Sequence, residues 1–145
     1  MDKWEARFRT SPRYLRMFPP RSPPRISHVN ATLIGLPRQW CSLIVQLQSG
    51  HIGLNAHLHR IQRSPTPNCD SCTATGNSKP ETVNHFLFEC PTYRKERHLM
   101  KQKLGRGADS LAHLLLGKKD TLRELIKFTG RTGRLKATFG EFCLD

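Results

Sequence analysis

The segment "CDSCTATGNSKPETVNHFLFEC", residues 69–90, carries the side chains of this chain that are most able to bind or react. Three thiols and one imidazole stand in the pattern Cys69-x2-Cys72-x12-His85-x4-Cys90. Two thiolates separated by two residues bind one ion from a tight turn, and a distant pair completes a tetrahedron. Three sulfurs and one nitrogen close that tetrahedron around Zn²⁺ and leave no open position for a substrate. The pattern therefore predicts one structural zinc ion with Cys69, Cys72, His85 and Cys90 as its ligands.

A redox pair, a disulfide and a metal-free core are the competing interpretations of the same thiols. A thioredoxin-like Cys-x2-Cys follows a strand and opens a helix, whereas "SPTPN" precedes Cys69 and a glycine-bearing loop follows Cys72. Disulfides are disfavoured because the number of cysteines, 5, is odd and the N-terminus lacks the apolar core of a secretory signal. Cys41 and Cys143 lie outside the pattern and are not expected to bind the ion.

The second half of the pattern poses a geometric problem. Residues five apart on a continuous α-helix differ by about 140° in direction, so His85 and Cys90 would diverge. The residue before a proline is pushed out of helical geometry, and proline suits the first turn of a following helix. The sequence therefore predicts a helix that starts near Pro80 and ends at Cys90, where the bend before Pro91 turns the sulfur towards the imidazole.

Helical periodicity on both sides of this segment predicts the elements that position it. "LPRQWCSLIVQLQSG" and "GLNAHLHRIQRSP" form a helical hairpin, whose apolar faces are Trp40, Leu43, Ile44 and Leu47, then Leu54, Leu58 and Ile61. "PTYRKERHLMKQKLG", "DSLAHLLLG" and "DTLRELIKFTG" are three further helices that end at glycine. We predict a mostly α fold, a small helical zinc-binding domain with a disordered or extended basic N-terminal arm. The expected divisions are a basic Pro-rich arm or linker at 1–28, the helical domain at 29–130 and a frayed tail at 131–145.

Positive charge dominates the composition and concentrates in the N-terminal half. The chain has 24 Lys and Arg against 11 Asp and Glu, a net charge of +13 with neutral histidines. No acidic residue lies between Glu5 and Asp70, and that interval holds arginine but no lysine. Arginine is the better partner for phosphate, and such a field attracts polyanions. A solvated basic tail without a particular partner is the alternative. A membrane surface is disfavoured because prolines interrupt the stretch and leave no apolar helical face.

Nucleic acid, either RNA or DNA, is therefore the expected partner, with no membrane and no small-molecule substrate. Binding should rest mainly on phosphate contacts and depend strongly on salt. His51, in "SGHIGLN", either caps the turn of the hairpin or holds a phosphate when it is charged. The expected nucleic-acid-binding residues are Arg7, Arg9, Arg13, Arg16, Arg21, Arg25, Arg38, His51, Arg60 and Arg63.

Two motifs together carry a family resemblance. "LIVQLQSGHIGLNAHLHRI", followed by the spaced cysteines and "ETVNHFLFECPTYRKER", resembles the zinc-binding C-terminal region of LINE-type (non-LTR) retrotransposon reverse transcriptase polyproteins, the segment that follows RNase H. The family pattern is Gln-Leu-Arg-Thr-Gly-His, then Leu-Asn, Leu and Arg-Ile before the first Cys-x2-Cys. This chain departs from that pattern at Gln48 and Ser49, which removes an arginine that would contact phosphate. The matching positions are Gln46, Leu47, Gly50, His51, Leu54, Asn55, Leu58, Arg60, Ile61, Glu81, Thr82 and Pro91, beside the four zinc ligands.

The resemblance covers residues 4–130 and implies a module that binds element RNA or target DNA during target-primed reverse transcription. A polymerase Tyr-x-Asp-Asp is absent from the sequence, and the acidic residues form no cluster suited to two-metal chemistry. We therefore expect a non-catalytic nucleic-acid-binding module, not an enzyme, inside the cell, nuclear or cytoplasmic and not secreted. The alternatives are a protein-interaction zinc module and a decayed transposon fragment without function.

Overall fold

Helices make up most of the computed structural model, which describes residues 3–17 and 31–142. The α-helices are α1 (Lys3–Arg9), α2 (Pro12–Met17), α3 (Arg38–Ser49), α4 (Asn55–Arg60), α5 (Asp70–Ala74), α6 (Arg94–Leu104), α7 (Leu111–Leu116), α8 (Lys119–Thr132) and α9 (Lys136–Phe139). A π-helix spans His85–Glu89, and 3₁₀ helices span Pro91–Tyr93 and Gly105–Asp109. Within the two described stretches there is no strand, and an isolated antiparallel bridge joins Asn68 to Pro80. The predicted mostly α fold is confirmed. No helix in these stretches has the length and apolar character that a bilayer crossing requires.

The described part of the predicted arm, residues 3–17, folds into α1 and α2. No continuous helix runs through it, as the prolines predict, but Pro12–Met17 is helical where extended chain was expected. The reason is local. Pro12 occupies the first turn, where a missing N–H costs nothing, and Ser11 Oγ accepts a hydrogen bond from the Tyr14 N–H at 3.2 Å. The rest of the predicted arm, 18–28, lies outside the described residues.

The two helices predicted for the hairpin are present as α3 and α4, although they are not among the helix pairs that contact each other extensively. Pro37 precedes α3, and Gly50 ends it in the left-handed conformation with φ of 73°, which favours glycine. Leu43, Ile44 and Leu47 are buried on the inner face of α3 as the periodicity predicts. The second apolar face is shorter than expected, because α4 ends at Arg60 and leaves Ile61 49% exposed.

The most extensive helix–helix contact of the core lies after the cysteine segment, between α6 and α8. Met100 of α6 is fully buried, and α8 buries an apolar stripe that includes the predicted Leu122, Leu125 and Ile126. Phe86 of the π-helix joins this core to the cysteine segment. Its ring centroid lies 5.4 Å from that of Tyr93 and 5.4 Å from that of Phe128.

A buried ion pair makes a second connection between the cysteine segment and the C-terminal helices. Arg134 Nε donates to Glu81 Oε1 at 2.7 Å and Arg134 Nη2 donates to Oε2 at 2.6 Å, a bidentate pair. The Glu81 side chain is only 2% exposed. Its Oε2 also accepts from the backbone N–H of Asn55 at 2.7 Å and so holds the start of α4. One carboxylate therefore ties together α4, the segment before the π-helix and the turn after α8.

Residues 131–142 belong to the fold, although the sequence predicts a frayed tail there. α8 extends to Thr132, α9 follows it, and Leu135 and Phe142 are buried. The physical reason is Arg134, because its pairing with a buried carboxylate fixes the chain beyond α8. The last described residue is Phe142, and the remainder of the predicted tail lies outside the described residues.

We expect Arg134→Ala to lower the free energy of unfolding by about 3–5 kcal/mol, because it leaves the buried Glu81 carboxylate without its counter-ion. Chemical denaturation monitored by circular dichroism measures this loss. Arg123→Ala is the matched control, since Arg123 pairs with Asp120 at an exposed position where an ion pair contributes about 0–1 kcal/mol. Equal losses in the two variants would contradict the structural role of the buried pair.

Candidate metal centre

Four side chains converge at one buried point, and they are those that the sequence predicts. Cys69 precedes α5, Cys72 lies within it, His85 is the first residue of the π-helix and Cys90 follows its last residue. Each of the four residues is at most 2% exposed. One ligand atom from each, three Sγ and one imidazole nitrogen, lies within 4.8 Å of all the others. The cluster therefore has the composition and spacing of a site that can hold a metal ion.

A tight turn around Cys69 and Cys72 presents the first two sulfurs. The Cys69 N–H donates to the Lys79 carbonyl at 2.8 Å, and the Asn77 N–H donates to the Cys72 carbonyl at 2.9 Å. Gly76 has a φ of 77°, in the left-handed region that favours glycine, and turns the chain back between Cys72 and Asn77. These backbone hydrogen bonds close the polar loop and hold the Cys69 and Cys72 thiols near each other.

The π-helix presents the other two ligands and resolves the divergence expected of a five-residue step. The Cys90 N–H donates to the His85 carbonyl at 2.8 Å, an i to i+5 bond that brings residue 90 back alongside residue 85. At Cys90 the backbone then leaves helical geometry, with φ of −58° and ψ of 119°, and Pro91 begins a 3₁₀ helix. The predicted bend before Pro91 is present. The π-helix before it was not predicted.

Cys69, Cys72 and Cys90 are free thiols, not members of a disulfide. Cys69 Sγ lies 3.9 Å from Cys90 Sγ, and Cys72 Sγ lies 4.0 Å from it, whereas a disulfide bond is about 2.05 Å long. His85 Nε2 faces the same point, 3.4 Å from Cys72 Sγ. Cys41, which was not expected to be a ligand, is a free thiol outside the cluster, and Cys143 lies outside the described residues.

The buried thiols resist ionisation in the absence of a cation. Burial raises the pKa of the Cys69 thiol and raises that of Cys72 to about 12, because neighbouring thiols and a dry environment disfavour the thiolate. A bound divalent ion reverses this, since it is the largest local charge and deprotonates a coordinating thiol. Three buried sulfurs packed together are therefore a suitable donor set for a metal ion and an unsuitable one for free thiolates.

The outer nitrogen of His85 has an incomplete environment. His85 Nδ1 is buried and makes no hydrogen bond within the described part of the chain, and Glu89 Oε2 lies 3.7 Å away. Glu89 Oε1 accepts a hydrogen bond from Asn84 Nδ2 at 2.7 Å, which holds the carboxylate beside the ring. A histidine that binds a metal usually donates its second N–H to a carboxylate or carbonyl, so Glu89 stands where such a partner is needed.

Arg97 supports the site from α6. Its Nε donates to the Leu87 carbonyl at 2.9 Å and its Nη2 donates to the Cys90 carbonyl at 2.5 Å. Both carbonyls lie at the end of the π-helix, where the Cys90 carbonyl also accepts from the Tyr93 N–H of the following 3₁₀ turn at 3.3 Å. The sequence indicated neither Arg97 nor the Glu81–Arg134 pair as part of the site. Glu81 was noted only within the family motif. The sequence does not indicate which backbone carbonyls an arginine on a helix surface will contact.

The predicted nucleic-acid-binding residues are only partly brought together. His51, Arg60 and the unpredicted His57 form one cluster: the His51 and His57 rings stack with centroids 5.1 Å apart, and Arg60 Nη2 lies 2.9 Å from His57 Nδ1. Arg63 is exposed three residues further on, whereas Arg38 is exposed at the start of α3. The remaining predicted residues are distributed over the N-terminal segment. Arg7 and Arg9 are exposed on α1, Arg13 and Arg16 lie in α2, and Arg21 and Arg25 lie outside the described residues.

We expect Cys72→Ser to abolish stoichiometric metal binding and to lower the temperature of the thermal unfolding transition, because a serine hydroxyl is a poor ligand and three donors remain. Elemental analysis and circular dichroism measure the two effects. Cys41→Ser removes a thiol outside the cluster and should keep the metal content of the parent chain. A Cys72→Ser protein with full metal content would refute the assignment.

We expect Glu89→Ala to weaken metal binding about tenfold, the lower end of the effect of removing a residue that orients a ligand. Glu89→Gln should lose less, because its amide oxygen still accepts from Nδ1–H. Competition with a chromophoric chelator gives the affinities. Glu141→Ala is the control, since Glu141 is exposed, pairs with Lys136 and lies about 50 residues after the last metal ligand in the sequence. An unchanged affinity in Glu89→Ala would remove Glu89 from the site.

Comparisons with protein-family models, with curated protein sequences and with solved structures returned no match for this chain. The metal centre therefore rests on its own geometry. The resemblance to the C-terminal region of retrotransposon reverse transcriptases stays a prediction, carried by the "LQSGHIGLN" segment and the spacing of the cysteines and histidine.

Proposed function

We propose that this chain is a nucleic-acid-binding module built around one structural zinc ion, without catalytic activity of its own, related to the C-terminal region of LINE-type reverse transcriptase polyproteins. One observation supports it above the others. Arg60 and Arg63, which precede the cysteine segment, are exposed and have no carboxylate partner among the described residues.

Zinc is the ion that fits the cluster best. Tetrahedral coordination with Zn–S of about 2.3 Å and Zn–N of about 2.0–2.1 Å places two sulfurs about 3.8 Å apart and a sulfur and a nitrogen about 3.6 Å apart. The corresponding separations here are 3.9 and 4.0 Å between sulfurs and 3.4 Å between Cys72 Sγ and His85 Nε2. Four protein ligands complete the tetrahedron, so the ion stabilises the fold and has no open position for a substrate.

The distribution of ion pairs supports a polyanionic partner. Between residues 31 and 142, the pairs between Lys or Arg and a carboxylate all use basic residues from 101 onwards: Lys101–Asp109, Arg123–Asp120, Lys127–Glu124, Arg134–Glu81 and Lys136–Glu141. Arg7, Arg38, Arg60 and Arg63 are exposed and enter none of them. Positive charge that is not neutralised internally remains available to phosphates, which the interval without acidic residues already indicates.

A protein-interaction module is the alternative that the same metal centre would serve. The exposed large apolar side chains of the described residues include Ile34, Val45, Ile61 and Leu99, on separate elements. Apolar residues scattered singly are normal on a protein surface and do not indicate a docking face. The charge asymmetry therefore favours nucleic acid over a protein partner.

Binding to single-stranded and duplex oligonucleotides should weaken steeply as salt rises, with a slope of log affinity against log salt of about −0.9 for each phosphate neutralised on duplex and about −0.7 on single strands. Fluorescence anisotropy of the metal-loaded chain from 50 to 200 mM salt measures it. Cys72→Ser should bind weakly, because the segment carrying Arg60 and Arg63 loses its anchor. A flat salt response would favour protein contacts and overturn the proposal.

A further inference from the structure

A small pocket opens between the turn after α3 and the segment that enters the π-helix. Its volume is about 130 Å³, and Gly50, His57, Arg60 and Thr82 lie on its wall above an apolar base that includes Ile52 and Leu54. Neither the helical periodicity nor the spacing of the metal ligands indicates this pocket. Its walls come from three parts of the chain that the metal centre and the buried ion pair hold together.

Three polar side chains of the pocket wall offer hydrogen-bond donors. Arg60 Nη2 donates to His57 Nδ1 at 2.9 Å, which makes Nδ1 the acceptor of the neutral ring and leaves the proton on Nε2 as a donor. Burial, Arg60 and His51 lower the pKa of His57, so the ring donates while neutral. The guanidinium of Arg60 keeps its other N–H groups. Thr82 Oγ1 accepts from the His85 N–H at 3.1 Å and keeps its own O–H to donate.

The one carboxylate on the pocket wall does not oppose an anion there. Glu81 lines the pocket, but both of its oxygens accept from Arg134 and one also accepts from the Asn55 N–H. Its charge is thus balanced by Arg134 on the buried side. The positive charge of Arg60 has no carboxylate partner among the described residues, so it sets the sign of the pocket.

We propose that this pocket is a phosphate subsite, in which Arg60, His57 and Thr82 hold one phosphate group of a nucleic-acid backbone. The inference rests on the proposed function and deepens it, because it locates a phosphate contact on a rigid wall and not in the arginine-rich arm. Thr82 bonds to a metal ligand's backbone, and the Glu81 carbonyl accepts from the Ala56 N–H at 3.3 Å. The subsite and the metal centre therefore share one segment of chain.

The test uses the full metal-loaded chain, with inorganic phosphate and a single-stranded oligonucleotide as probes. In NMR titrations, inorganic phosphate should shift the His57 ring and Thr82 amide signals of the parent chain and leave them unshifted in Arg60→Ala. Oligonucleotide binding should weaken about tenfold in Arg60→Ala. Arg60→Lys keeps the positive charge but loses the planar guanidinium, so its oligonucleotide affinity should lie between those of the parent chain and Arg60→Ala. Arg63→Ala removes a neighbouring exposed arginine that does not line the pocket, and should weaken binding only about twofold to threefold.

Metal content and thermal unfolding of each variant verify that the fold is kept. Equal oligonucleotide affinity in Arg60→Ala and Arg63→Ala would overturn the subsite while leaving the proposed function intact. Absence of a phosphate-induced shift at His57 in the parent chain would also overturn it. If the parent chain bound no oligonucleotide, the proposed function would fall, and a surviving response to inorganic phosphate would show that the pocket binds the anion from another source.

Discussion

The convergence of three sulfurs and one imidazole on a single buried point is the constraint around which the rest of this chain is organised. The residues between Cys69 and Cys90 contain little regular structure apart from α5 and the π-helix, and their loop is polar. Without an ion, the four buried donors would contribute only weak contacts at the centre of a small core, and burial disfavours their charged forms. With an ion, the same donors join two distant parts of the chain. A metal ion in this cluster would therefore supply cohesion that apolar burial in a domain of this size provides only in part.

The Glu81–Arg134 pair complements the metal by fixing how the metal-binding segment meets the helical core. A bidentate pair specifies orientation as well as distance, because both oxygens and both nitrogens must face each other. Phe86 makes the apolar counterpart of this contact against Phe128. Together they make the C-terminal helices a platform for the metal-binding segment. A stable minimal domain must accordingly extend past Arg134, beyond the boundary at 130 that the sequence suggested.

Local patterns account for what the sequence could predict. The ligands follow a fixed spacing, and α3 runs between Pro37 and Gly50, so neighbouring residues were enough to identify both. The missed features depend on partners far along the chain or on departures from the common helix. Arg134 lies 53 residues from Glu81, in a stretch that was predicted to be a frayed tail. The prolines of the arm were expected to favour extended chain, whereas Pro12 begins α2. Periodicity reasoning assumed 3.6 residues per turn and so could not reveal a π-helix.

The π-helix has a consequence for how this segment tolerates changes in length. Its wider turn accommodates one residue more than an α-helix would, and so it aligns Cys90 with His85 across a step of five residues. Deleting one of the four residues between them would leave a step of four, which an ordinary α-helix aligns to within about 40°, so both side chains would still share a face. Inserting one would give a step of six, about 120° out of line on an α-helix, and would turn the sulfur away from the imidazole. The interval between histidine and cysteine is therefore restricted more at its upper limit than at its lower one.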